Sequence, residues 1–95
     1  MLEKDIQKKI MKFLKSLDNA SFDVTTIGMY GNKGTADIVG VLCGRYVAIE
    51  VKRPKKYATA LQKHWLETKT KCGAICFVAT SVREVEERLI EENLI

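Results

Sequence analysis

Two runs of strand-forming residues, Ala36 to Leu42 and Arg45 to Lys52, are separated by Cys43-Gly44 alone. So short a connection leaves no room for a crossover, and an antiparallel hairpin is expected. A two-residue turn also sets the register: Leu42 faces Arg45, and counting outward puts Asp37 opposite Glu50. Along the second run Tyr46, Ala48, Glu50 and Lys52 alternate with Val47, Ile49 and Val51, so Glu50 and Lys52 share a face. Directly opposed side chains have Cβ atoms about 4.5 to 5.5 Å apart, at which two carboxylates repel unless positive charge lies between them. A hard divalent cation with oxygen ligands supplies that charge. A register slip of one residue would carry Asp37 to the other face.

The rest of the chain reads as elements around this hairpin. Leu2, Ile6, Ile10, Phe13, Leu14 and Leu17 recur at helical steps, predicting an amphipathic helix that ends near Asp18-Asn19. Ser21 to Ile27 is rich in β-branched and aromatic residues and reads as a strand, followed by a loop with Gly28, Gly31 and Gly34. Arg53-Pro54-Lys55-Lys56 stops the second hairpin strand. Thr59 and Gln62 have capping-box spacing and open a helix to about Lys71, with Leu61, Trp65, Thr68 and Cys72 on one face. Ala74 to Ala79 is short and apolar enough for a buried strand, and Ser81 with Glu84 opens a last helix. The expected fold is an α/β sandwich over residues 1–95, one domain: a mixed sheet flanked by helices, with an αβββαβ core and a C-terminal helix. The helix before the last strand is long enough for a right-handed crossover, which predicts a parallel pair there.

No run of apolar residues approaches membrane-spanning length, and the charged start, MLEKDIQKKI, does not read as a signal peptide, so a cytoplasmic protein is expected. Three cysteines, Cys43, Cys72 and Cys76, with His64 the only histidine, support neither a disulfide framework nor a structural zinc site; small core or turn positions are expected for them. Net charge is +4, but residues 45–71 alone carry +6. A phosphate backbone is one reason for such a concentration and a solvated helix face is another. Glu3 falls about 45° from the centre of the first helix's apolar stripe, where a carboxylate facing inward wants a partner; a first-turn glutamate also complements the helix dipole.

Taken together, Gly34-Thr35-Ala36-Asp37, then Glu50-Val51-Lys52, then Gln62 opening a helix, with Glu3 in a preceding helix, resemble the VRR-NUC family of PD-(D/E)xK nucleases. The similarity is to its short stand-alone members, such as those encoded by phages, and spans nearly the whole chain. Ala36 departs from the proline common before the family's aspartate. The resemblance implies that Asp37, Glu50 and the Val51 backbone carbonyl bind Mg²⁺ or Mn²⁺, with Glu3 as an outer or second-metal ligand. It further implies that Lys52 holds or activates the attacking water and stabilises charge on the phosphate, and that Gln62 orients the lysine or the metal-bound water. Each residue also has a plainer role open to it: Lys52 as a surface ion-pair partner, Gln62 as a capping residue only, Trp65 and Tyr46 as core, and His64 as an exposed side chain.

The function expected from this resemblance is metal-dependent endonucleolytic cleavage of DNA by a homodimer, selective for branched structures such as Holliday junctions. So small a domain has little surface for reading sequence. Tyr30, Asn32 and Lys33 in the loop and Arg53, Lys55 and Lys56 after the hairpin are the expected DNA contacts. The rival is a non-catalytic DNA-binding accessory protein that uses the basic 45–71 region and has no need for Asp37 opposite Glu50.

Overall fold

The computed structural model of the chain describes residues 1–25 and 34–95. The elements run α1 (Glu3–Lys15), β1 (Ala20–Val24), β2 (Ile38–Leu42), β3 (Arg45–Val51), α2 (Ala60–Lys71), β4 (Ile75–Ala79) and α3 (Val82–Glu91). The four strands form one sheet in the order β1-β2-β3-β4. β1 pairs with β2 and β2 with β3 antiparallel, whereas β3 and β4 are parallel across the α2 crossover. This is the expected α/β architecture.

The hairpin turn holds Cys43 at φ 51° and Gly44 at φ 81°. Positive φ at both central residues is the turn geometry whose twist matches the flanking strands, and it fixes Leu42 against Arg45 as counted. The register then continues unbroken to Ile38 against Ile49.

Alternation along β3 divides the protein into two layers. Val47, Ile49 and Val51 face a core shared with Ile6, Ile10 and Leu14 of α1 and with Val85 and Leu89 of α3. Ala48 faces the other way, into a smaller cluster with Ala36 and Leu66 of α2. Burial of the larger core supplies most of the hydrophobic stabilisation, because apolar area removed from water is what counts. The smaller cluster lies under the helix that carries Gln62.

Several boundaries differ from expectation. α1 stops at Lys15, and its C-cap Ser16 donates its hydroxyl to the Phe13 carbonyl at 2.6 Å. β1 ends at Val24, while Thr26 and Ile27 of the expected strand lie outside the described residues. β2 begins at Ile38 rather than Ala36, for a reason that belongs to the site below. In α2 the buried residue is Leu66; Leu61, Thr68 and Cys72 are exposed and Trp65 is half-buried, so the expected apolar face is displaced. The box at Thr59 and Gln62 is complete. At α3 only half of a box forms: Ser81 accepts from the Glu84 N–H at 3.2 Å, but the Glu84 carboxylate turns to Thr80 instead. Cys43 and Cys72 are exposed and Cys76 is partly buried, all three as free thiols. No helix among the described residues is long and apolar enough to cross a membrane.

Candidate active site

Asp37 lies one residue beyond the last paired position of β2, held from two sides. The Thr25 N–H donates to the Asp37 carbonyl at 2.8 Å, extending the β1 ladder, while the Thr25 hydroxyl donates to the Ala36 carbonyl at 2.6 Å. On the other side, the Val51 N–H donates to Asp37 Oδ2 at 2.9 Å. A continued ladder would give that N–H a backbone carbonyl; here the Asp37 carboxylate takes it, which is why β2 starts late. The bond fixes the aspartate side chain at the edge of β3. The N–H and C=O of one strand residue point the same way, so the Val51 carbonyl is directed to this edge as well.

Among the described residues Glu50 is the buried charged one, 2% exposed. Its Oε2 accepts from Gln62 Nε2 at 2.9 Å and lies 3.5 Å from Lys52 Nζ. Its Oε1 is buried without a hydrogen-bond partner among the described residues. Burial pushes the carboxyl up from 4.5 to about 7; the adjacent Asp37 carboxylate pushes the same way, and Lys52 pulls it back.

Gln62 sets the donor that Glu50 receives. Its Oε1 accepts from the Thr59 N–H at 2.8 Å within the capping box, which leaves Nε2 to face the carboxylate. Capping and contact with the site are thus one arrangement, and the partner Gln62 meets there is Glu50, where the resemblance implied the lysine or a metal-bound water. Lys52 keeps its side chain 14% exposed and so is neither a free surface lysine nor sealed from solvent.

Gly34 contributes through its missing side chain. It adopts φ +95°, and a Cβ there would stand 2.8 Å from the Leu61 carbonyl oxygen, next to Gln62. Only glycine lets the strand-entry loop come this close to the first turn of α2 while holding that φ. Glycine in the loop pointed to turn geometry, but Leu61 as its neighbour follows from the docking of α2.

The residues present suit a hard divalent cation. Two adjacent carboxylates, an unpartnered buried oxygen on Glu50 and a backbone carbonyl at the same edge make an all-oxygen donor set. Among the described residues no three or more Asp, Glu, His or Cys side chains converge, so remaining ligands of such an ion would come from water or substrate.

Glu3 does not join them. It is exposed, in the first turn of α1 with Asp5, where both complement the helix dipole. α1 packs on the Val47-Ile49-Val51 face, whereas Glu50 projects from the other. The expectation of an inward-facing Glu3 is therefore corrected: Met1 to Asp5 are all exposed, and the first buried residue is Ile6.

Among the expected DNA contacts, Arg53, Lys55 and Lys56 are exposed on the turn after β3, closed by the Lys56 N–H donating to the Arg53 carbonyl at 3.0 Å. Tyr30, Asn32 and Lys33 lie outside the described residues. The basic 45–71 stretch does not form a single patch. Arg45 opens β3 and donates to the Gly73 carbonyl at 3.2 Å, and Lys69 and Lys71 close α2, so these three sit at the end of the sheet away from Glu50. His64 is exposed; Tyr46 is 39% exposed rather than core.

No protein-family model and no curated protein matches the sequence. Solved structures do. One, a VRR_NUC domain protein, superposes with a TM-score of 0.77 at 21% identity, covering 100% of this chain and 88% of the other. A second, a VRR_NUC domain, gives 0.77 at 26% identity and covers 94% of each. With matching element order, a mixed four-stranded sheet and near-complete coverage, the chain has the VRR-NUC fold.

Proposed function

We propose that the protein is a metal-dependent endodeoxyribonuclease acting as a homodimer on branched DNA such as Holliday junctions, in the cytoplasm of a bacterial or phage-infected cell. The observation that carries the nuclease reading is Glu50: a buried carboxylate beside Asp37, with one oxygen unpartnered among the described residues and with Lys52 and Gln62 on the other. Ionising a buried carboxylate beside a second one is costly unless further positive charge meets the pair, and a DNA-binding accessory protein has no use for such a pair. The branched substrate and the dimer rest on the VRR-NUC resemblance and on the small size of the chain.

Asp37, Glu50 and the Val51 carbonyl would hold Mg²⁺ or Mn²⁺. Such an ion supplies Lewis acidity and lowers the pKa of water, the usual source of a nucleophile for phosphodiester hydrolysis. The Lys52 ammonium, 3.5 Å from Glu50 Oε2, would orient the attacking water and stabilise negative charge developing on the phosphate, where a preorganised cation is most effective. Gln62 keeps Glu50 from rotating, and the Arg53, Lys55 and Lys56 turn next to Lys52 holds the backbone of the substrate.

The test is incubation of the purified protein with a labelled four-way junction and a matched linear duplex, in Mg²⁺, Mn²⁺ or EDTA, beside Lys52→Ala. Metal-dependent cutting of the junction that the variant loses is the expected result. Tight binding without cutting under either metal would move the assignment to a DNA-binding accessory role.

A further inference from the structure

The outward faces of the two helices on the large-core side of the sheet are charged differently. On α3, Arg83 pairs with Glu87 at 3.0 Å and Arg88 with Glu92 at 3.2 Å, each one turn apart. On α1, Lys4, Lys8, Lys12 and Lys15 follow at four-, four- and three-residue steps, which sets them in one row. All four are exposed, and among the described residues none is ion-paired with a carboxylate. Residues 26–33, TIGMYGNK, contain no Asp or Glu that could serve. Like charges at this spacing repel, and Lys4 in the first turn opposes the helix dipole, whereas Lys12 and Lys15 in the last turn complement it.

The four lysines, with Gln7, Met11 and Val24, line an open groove of about 500 Å³. Val24 pairs with Ile38, and Ile38 with Ile49, so this residue of the groove lies at the same end of the sheet as Asp37 and Glu50. The row extends over roughly 16 Å, about half a turn of B-form DNA. Ile6, Ile10 and Leu14, the apolar side of α1, are buried in the core and unavailable to a bilayer, which favours a nucleic acid over an anionic membrane.

We propose that the lysine row of α1 is a second contact surface for a phosphodiester backbone, distinct from the Arg53, Lys55 and Lys56 turn. The proposal rests on the reading of the protein as a DNA nuclease and adds to it. The α1 row lies on one layer of the sheet and the turn leads into the helix of the other, so the two basic surfaces belong to opposite layers. A substrate with two arms reaches both, whereas a straight duplex engages one.

The experiment measures binding of a labelled four-way junction and a matched duplex by fluorescence anisotropy in EDTA over a series of KCl concentrations. It compares the wild type, K8Q/K12Q in the row and K69Q/K71Q, which removes the same charge from the far end of α2. Glutamine has nearly the helix propensity of lysine, and an unchanged melting temperature checks the fold. Each lost phosphate contact makes the plot of log affinity against log salt shallower by about 0.9. K8Q/K12Q is expected to lower the slope by about two, with a greater loss of affinity for the junction, and K69Q/K71Q to leave it unchanged.

An unchanged slope for K8Q/K12Q, or equal changes in both pairs, overturns the proposal. So does binding to phosphatidylserine vesicles that K8Q/K12Q abolishes while DNA binding is retained. Cutting by the wild type in Mn²⁺, assayed in parallel, separates the two readings. A wild type that cuts while K8Q/K12Q binds normally defeats only the α1 surface; a wild type that neither binds nor cuts DNA defeats both.

Discussion

Gln62 gives Glu50 an amide N–H at 2.9 Å because its amide oxygen is already occupied, 2.8 Å from the Thr59 backbone nitrogen. A flipped amide would turn its oxygen toward the carboxylate and its NH₂ toward a donor, losing both bonds. The first turn of α2 and the rotamer of Glu50 are thereby coupled.

Two substitutions at Thr59 separate capping from orientation. Thr59→Ala removes the hydroxyl that accepts from the Gln62 N–H at 3.2 Å but keeps the backbone donor. It should cost about 1 kcal/mol of stability and leave Mn²⁺ affinity unchanged. Thr59→Pro suits the observed φ of −70° and removes that donor as well. Its expected signature is weaker Mn²⁺ binding by calorimetry, beyond any change in thermal stability, and equal affinities in the two variants would count against the coupling.

The raised pKa of Glu50 predicts how stability varies with pH. The carboxyl titrates at about 7 when folded without metal, against an ordinary 4.5. Between these values the folded state keeps a proton that the unfolded chain has released, so rising pH favours unfolding. The stabilisation is fully present below about 4.5 and is lost as pH rises through about 7. A shift of this size corresponds to roughly 3 kcal/mol. Urea unfolding in EDTA should show this decline in the wild type and a flatter profile in Glu50→Gln. Mg²⁺ binds the ionised form and should restore wild-type stability at the alkaline end.

The hairpin half of the site was legible because its causes are local: a two-residue gap fixes the register, and alternation fixes the face, so Asp37, Glu50 and Lys52 follow by counting. Gln62 was legible as a capping residue from its spacing to Thr59, but its bond to Glu50 depends on how the crossover docks α2 over β3. Glu3 shows the converse. Its angle on the helical wheel says where it points relative to the apolar stripe, but burial begins only at Ile6, so the angle has nothing to face. The displaced face of α2 has a similar origin, since only Leu66 of that helix is buried and few apolar positions define a stripe.

Gly40 should tolerate no side chain. A Cβ there would stand 2.2 Å from the Ser21 carbonyl oxygen and 2.6 Å from the Phe22 ring. Neither is easily moved, because Ser21 belongs to the β1 ladder and Phe22 is buried. Gly40→Ala is expected to destabilise by at least about 2 kcal/mol through overpacking, measured by urea unfolding, while the protein that remains folded keeps its Mn²⁺ affinity.

Gly34→Ala should do the opposite in one respect. The added methyl meets the Leu61 carbonyl at 2.8 Å at a φ of +95°, so the loop entering β2 and the first turn of α2 must move apart. That turn carries Gln62, and that loop leads into Asp37, so the displacement falls on the ligand set itself. Mn²⁺ affinity is expected to drop along with stability, and a greater fractional loss of metal binding than Gly40→Ala shows at matched folded fraction is the measurement that checks it. Equal losses would mean that Gly34 serves the fold alone and that the approach of α2 to Asp37 is set elsewhere.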